Sequence, residues 1–256
     1  MTAIVAVWHP RGEARRAIQR GYPRPAGAVR LCRSPQAVER LLDQRLVDAV
    51  VLDVKGAPDT GLAFPRRFPR IPVFGYSAFR PEDGPLVAAC QSAGFAGVLV
   101  EAVDNAMAGE WIARRTAQQM RQAALADAPR LLRLTDPLQL AAWGEVWRRV
   151  ALPTQTGQVA AALRITREHL SRQFGAGGAP NLKRVIDLVR VACAADLLGN
   201  PGYNVAVVAR VLGYASPSHL ATAARRVAGA VPQDLRDLGL RGVLGAFLRG
   251  RTRSRS

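Results

Sequence analysis

The side chains best placed to act on another molecule are Arg167, Glu168, Ser171 and Arg172, which a helical repeat puts on one face while Leu170 and Phe174 take the other. Guanidinium, carboxylate and hydroxyl groups presented this way can bond phosphates or the edges of guanine and cytosine. A second set is His9, Asp53 and Ser77, single polar residues at the ends of apolar runs, with Trp8 and Glu101 in comparable places. Those residue types could serve an enzyme, but no nucleophile motif and no Gly-rich phosphate loop accompanies them, so no catalytic residue is assigned. Cys32, Cys90 and Cys193 lie far apart without a CxxC pair, which argues against structural zinc and against a disulfide framework. No metal site and no cofactor is expected, and the chain is not expected to be an enzyme.

Exposing one helix face requires a scaffold, and the flanking residues supply it. Gln158-Val159-Ala160-Ala161-Ala162-Leu163 reads as a small-residue helix ending at Leu163, and Thr166 can cap the next. With Ile165, Leu170 and Phe174 packed inward, this is a helix-turn-helix. The pattern recurs from Val205 to Leu220 with a turn one residue longer; Ser216 caps and Pro217 opens the first helical turn. Leu163 and Leu170 correspond to Leu212 and Leu220. Between the units, 181–199 reads as a helix with Leu182, Ile186, Val189, Cys193 and Leu197 on one face. Ahead of them, 137–150 carries Leu138, Ala142, Val146 and Val150 on one face, with Trp143 and Trp147 beside it as a packing buttress.

The first half has a different rhythm. Apolar runs of strand length at 3–7, 28–32, 49–54, 71–75 and 97–100 alternate with helical segments near 13–19, 35–45, 62–67, 83–93 and 104–125. Five such alternations imply a parallel sheet covered by helices on both faces, with function at the carboxyl ends of the strands. The last helical segment is long enough to run on as a stiff connector.

At 256 residues, two domains are expected. No run of about 18 apolar residues occurs, and the start lacks a basic leader, so a soluble chain in the cytoplasm and no membrane partner are expected. The net charge of +17 is uneven: 1–127 holds 17 basic against 12 acidic residues, and 128–256 holds 19 against 7. Phosphate polyanions attract such a surface by counterion release, so the second half is the expected nucleic-acid binder.

Residues 159–236 resemble the DNA-binding domain of AraC/XylS-type transcription regulators. The resemblance rests on Arg167-Glu168-His169-Leu170-Ser171-Arg172-Gln173-Phe174, the helix around Val189–Leu198, Val208-Ala209-Arg210-Val211-Leu212-Gly213-Tyr214, and Gly229-Ala230-Val231-Pro232-Gln233-Asp234-Leu235-Arg236. It implies two recognition helices in successive major grooves of double-stranded DNA, with Glu168, Ser171 and Arg172 reading bases in the first unit and Ser218 and Thr222 in those places in the second. Arg225 and Arg226 would contact phosphates. Ala224 stands where the family usually has an aromatic residue, and Arg164 where its first turn often has glycine, which implies a turn that is not left-handed there.

Residues 1–125 resemble the receiver domain of two-component response regulators, most closely at Val47-Asp48-Ala49-Val50-Val51-Leu52-Asp53. The resemblance implies Asp53 as the phosphoacceptor and Ser77 as the switch hydroxyl. The acidic pair that holds magnesium after the first strand is here Trp8-His9-Pro10, and the lysine ending the fifth is Glu101. Phosphoryl transfer needs those charges, so a receiver fold without its chemistry is expected. The expected organisation is a flavodoxin-like five-stranded parallel α/β domain (1–125), a linker (126–136), an all-helical double helix-turn-helix domain (137–240) and a basic disordered tail (241–256). A sequence-specific transcription regulator follows, the alternative being a regulator phosphorylated at Asp53. A homodimer or protein partner through the first domain, and RNA polymerase, stand as further candidate partners.

Overall fold

The computed structural model describes residues 3–175 and 178–253. It divides into two compact units, one of residues up to 120 together with Asn200–Gly202, the other of 121–199 and 203 onward.

The first unit is built on β1 (Ala3–Trp8), β2 (Gly27–Cys32), β3 (Ala49–Leu52), β4 (Val73–Ser77) and β5 (Gly97–Val100), paired in parallel in the order β2-β1-β3-β4-β5. Helices α1 (Gly12–Gly21), α2 (Pro35–Gln44), α3 (Pro58–Arg67) and α4 (Gly84–Ala93) fill the four crossovers, and α5 (Asn105–Ala113) follows β5. That order is the flavodoxin-like doubly wound one. β1 and β3 are buried along their whole length, as continuous apolar runs in a helix-covered sheet require. Val5, Val7, Val51, Phe74 and Tyr76 form the core on one side with Ile18 of α1 and Ile112 of α5.

The expected long helix over 104–125 is broken. After α5 the chain turns at Arg114–Thr116 and restarts as α6 (Ala117–Ala124). Buried Thr116 caps the new helix by accepting from Gln119 N–H at 3.3 Å, and Ala117 N–H donates to Asp48 O at 2.7 Å. A tertiary tie thus ends one helix where propensity would continue it.

The second unit is all helical: α7 (Ala128–Leu131), α8 (Pro137–Arg148), α9 (Thr156–Ala162), α10 (Arg167–Gly175), α11 (Leu182–Leu198), α12 (Val205–Val211), α13 (Pro217–Ala228) and α14 (Leu235–Arg253). The span read as a linker holds α7 and buries Ala128, Leu132 and Leu134. α11 is the core of this unit, with eleven buried residues from Leu182 to Leu197. α14 packs on α11 and α13, bends at Gly239 (φ 59°), and buries Val243, Leu244 and Phe247. The disordered tail expected from 241 is therefore wrong through 250, because apolar residues three and four apart face the core there. Residues 254–256 of that tail lie outside the described residues. Among the described residues no helix is long and apolar enough to cross a membrane.

Candidate nucleic-acid interface

Each helix-turn-helix is set by its cap. Thr166 Oγ1 accepts from His169 N–H and Ser216 Oγ from His219 N–H, both at 3.2 Å, and Pro217 occupies the first turn of α13. These bonds satisfy amides that a helix start leaves unpaired. Beyond them Leu170 and Phe174 of α10 are buried, as are Leu220, Ala223, Ala224 and Val227 of α13. The outward residues are then fixed: Arg167, Glu168, Ser171 and Arg172 on α10, and Ser218, Thr222, Arg225 and Arg226 on α13, all exposed.

The two faces differ in how far their side chains are committed. Among the described residues, the side chains on the α10 face make no hydrogen bond or ion pair. On α13, Thr222 Oγ1 donates to Ser218 O at 3.0 Å, and Arg226 Nη2 donates to Asp187 Oδ2 of α11 at 2.8 Å. Arg226 thus braces α13 on α11 as well as pointing outward. Arg190 of α11 braces the second turn, with Nη2 donating to Leu212 O at 2.7 Å and its guanidinium 4.1 Å from the Tyr214 ring centre. The first unit is braced from α8, whose Gln139 Nε2 donates to Gln173 O at 2.8 Å. Trp143 and Trp147 of α8 meet edge to face at 6.0 Å, with Trp147 buried, which is packing geometry.

Arg164 departs from expectation. Its backbone is left-handed (φ 57°), as is that of Gly213 (φ 66°) in the second turn. The helix end dictates this: Arg164 N–H donates to Ala161 O and Ile165 N–H to Ala160 O, both at 3.1 Å, closing α9. A residue with a Cβ bears a strain of about 1 kcal/mol or more there.

At the carboxyl ends of the strands the topology gathers His9, Asp53, Ser77 and Glu101, but as two separate pairs. Buried Asp53 accepts from Ser77 Oγ–H and from Lys55 N–H at 3.2 Å, while Ser77 Oγ accepts from Val54 N–H at 3.1 Å. Gly56 lets the loop close over them; a Cβ there would lie 2.6 Å from Asp53 Oδ2 and 3.3 Å from the Trp8 ring. His9 accepts from Arg11 N–H at Nδ1 (3.1 Å), which leaves Nε2–H to face Glu101 Oε2 at 3.3 Å, and the Arg11 guanidinium takes the same carboxylate. Lys55 Nζ bonds Asp83 Oδ2 at 2.5 Å. Sequence reasoning placed these residues at one sheet edge and missed the pairing, which depends on Arg11 and Asp83 from the following loops.

The residues do not fit magnesium. A hard cation wants several oxygen ligands; the acidic pair after β1 is here Trp8-His9-Pro10, and among the described residues no three acidic, histidine or cysteine side chains cluster as a metal set.

Burial holds the His9 imidazole below its ordinary value of 6.5, against the pull of Asp53 and Glu101. A histidine lowered on folding stabilises in its neutral form; that contribution is complete above about 6.5 and is lost as pH falls through the folded value. Between about pH 7 and pH 5 the melting temperature of the wild type should therefore fall more steeply than that of His9→Gln. Parallel profiles would show that His9 titrates alike in both states.

Residues 159–237 match the family described as a helix-turn-helix domain, and this region is an AraC-type helix-turn-helix domain. The match ends two residues into α14 beyond Leu235, so it covers both capped units and the helix that joins them. No curated protein matches the chain. Among solved structures it overlaps a response regulator from Thermotoga maritima at 18% identity, over 44% of this chain and 95% of that one, with a TM-score of 0.39. It also overlaps full-length FixJ from B. japonicum at 16% identity, over 88% and 98%, with a TM-score of 0.39. The fold of the first unit rests on its strand order and crossovers rather than on these overlaps. The class is a DNA-binding protein that joins a flavodoxin-like sheet domain to an AraC-type double helix-turn-helix.

Proposed function

We propose that the protein is a sequence-specific transcription regulator whose first domain works without phosphoryl transfer. The observation that carries the first part is the pair of capped, exposed recognition helices, α10 seated on α8 and α9 and α13 seated on the buried helix α11. Glu168, Ser171 and Arg172 are its base readers, Arg167 and Arg225 hold phosphates, and Ser218 and Thr222 take the reader places in the second unit. Arg226 divides its charge between phosphate and Asp187. Since α10 keeps its side chains free while α13 engages two of its own, the first unit supplies most of the discrimination and the second anchors. The domain limits that accompany this reading follow the two compact units, with α7 and the whole of α14 inside the DNA-binding one.

Selection from randomised duplexes followed by footprinting tests it. Two protected blocks about one helical turn apart, with a reproducible base preference in at least one, are expected. A pool that stays random after selection would leave only charge-driven packing and overturn the reading.

The second part is supported by the groups at the strand ends, where Trp8-His9-Pro10 stands in place of the acidic pair and the Glu101 carboxylate, held by Arg11, in place of the lysine. Incubated with acetyl phosphate and magnesium, the intact protein should gain no phosphate by mass. A gain that disappears in Asp53→Asn would make it a phosphorylated response regulator. The input then comes through a bound partner, a second copy of the chain or another protein at the first domain, and RNA polymerase is the expected contact at a promoter.

A further inference from the structure

The two turns preceding the recognition helices close alike. Arg164 and Gly213 each follow the leucine that ends the first helix, and each donates its N–H three residues back, to Ala161 O at 3.1 Å and to Arg210 O at 3.0 Å. Ile165 and Tyr214 follow, donating to Ala160 O at 3.1 Å and Ala209 O at 2.8 Å. In the second turn glycine is required by conformation and by space, because a Cβ would stand 3.0 Å from Ala151 O and 3.2 Å from Pro153. In the first turn the same left-handed backbone carries an arginine. Its side chain is exposed and, among the described residues, makes no hydrogen bond, ion pair or ring contact. Nothing in the free chain offsets the strain of keeping it there. Backbone strain is a pointer to function only with a location to interpret it, since Arg133 bears the same strain; what sets Arg164 apart is its place in the turn that delivers α10.

The location says which contact. Arg164 lies two residues ahead of the Thr166 cap and three ahead of Arg167, on the segment that delivers α10, whose outward face is uncommitted. A guanidinium at the mouth of a recognition helix is within one side-chain length of the duplex backbone flanking the groove, where the available partner is a phosphate oxygen. We propose that Arg164 binds a DNA backbone phosphate beside the site of α10, a contact that the second unit lacks because Gly213 occupies the equivalent position. This rests on the DNA-binding reading above.

Arg133 provides a matched control. It is also an exposed arginine with left-handed backbone (φ 59°), and it lies outside both turns. Arg164→Gly and Arg133→Gly each remove one positive charge and relieve the same strain, so both should melt about 2 °C higher than the wild type. Binding to a fluorescent duplex of about 40 base pairs and arbitrary sequence is then measured across salt concentrations. The expected result is that Arg164→Gly binds about three- to tenfold more weakly, with a salt slope smaller by about 0.9, while Arg133→Gly binds as the wild type does. Equal binding by the two variants overturns the proposal and leaves the DNA-binding reading intact. Weaker binding by Arg164→Gly at an unchanged salt slope also overturns it, because the loss then comes through the fold. A wild type that binds no duplex overturns the underlying reading and this inference with it.

Discussion

Arg172→Ala should weaken binding to the protein's selected duplex by about 1–3 kcal/mol, roughly five- to 150-fold, while the same substitution at Arg24 leaves it unchanged. Arg24 is an exposed arginine on the first unit, so the comparison removes the same charge from each variant. The size of the effect follows from what Arg172 is free to do. It lies on the face of α10 opposite buried Leu170 and Phe174, and no described residue holds its guanidinium. A planar fork that loses no internal bond on docking can give both its donors to one guanine. The affinity loss should be confined to duplexes that carry the preferred base at one position, which separates reading from phosphate binding. Equal loss on every sequence would move Arg172 to the phosphate-binding set, and no loss at all would mean that α10 meets DNA by another face.

The largest stability effect is expected inside the same unit. Phe174 is fully buried where α10 packs on α8 and α9, and Phe174→Ala should lower unfolding stability by about 3–5 kcal/mol through lost burial and the cavity left behind. The substitution should also abolish specific binding, since α10 would no longer be held at a fixed angle. Urea unfolding followed by circular dichroism reads the first effect. A loss under about 1 kcal/mol would show that neighbouring side chains collapse into the space. Ala224, four residues after buried Leu220 just as Phe174 follows Leu170, shows that the second unit solves the same problem differently: small residues on α13, and an added layer from α14.

What was legible in the sequence follows from how local each cause is. All five strands were visible: central β1 and β3 because a sheet covered on both faces demands unbroken apolar runs, and edge strand β2, which is partly exposed and holds Arg30, because Ala28, Val29, Leu31 and Cys32 still mark a run of strand length. β4 alone was displaced by two residues: Pro72 has no N–H to give the ladder and contributes only its carbonyl to Val50, so the strand starts at Val73 and ends on buried Ser77. Caps at Thr166 and Ser216 were readable because they bond amides three residues away. The break before α6 was not, since it is imposed by Asp48, far along the chain. Helix α14 was hidden by Gly239, Gly242, Gly245 and the arginines, although Leu240, Val243, Leu244 and Phe247 carried its period. At the interface the exposed face of α10 could be assigned from spacing alone. The engagement of Arg226 could not, because Asp187 is 39 residues away, and the conformation of Arg164 could not, because an arginine does not announce a positive φ.

The charges at the strand ends also tie the two positions to each other. Replacing His9 with an acid while Glu101 remains would set two carboxylates face to face at the strand ends, and replacing Glu101 with lysine while Arg11 remains would set two cations there. The two positions are therefore coupled: the stability lost on changing both at once, to an acid at 9 and a lysine at 101, should be smaller than the sum of the two single losses, because the new charges attract each other.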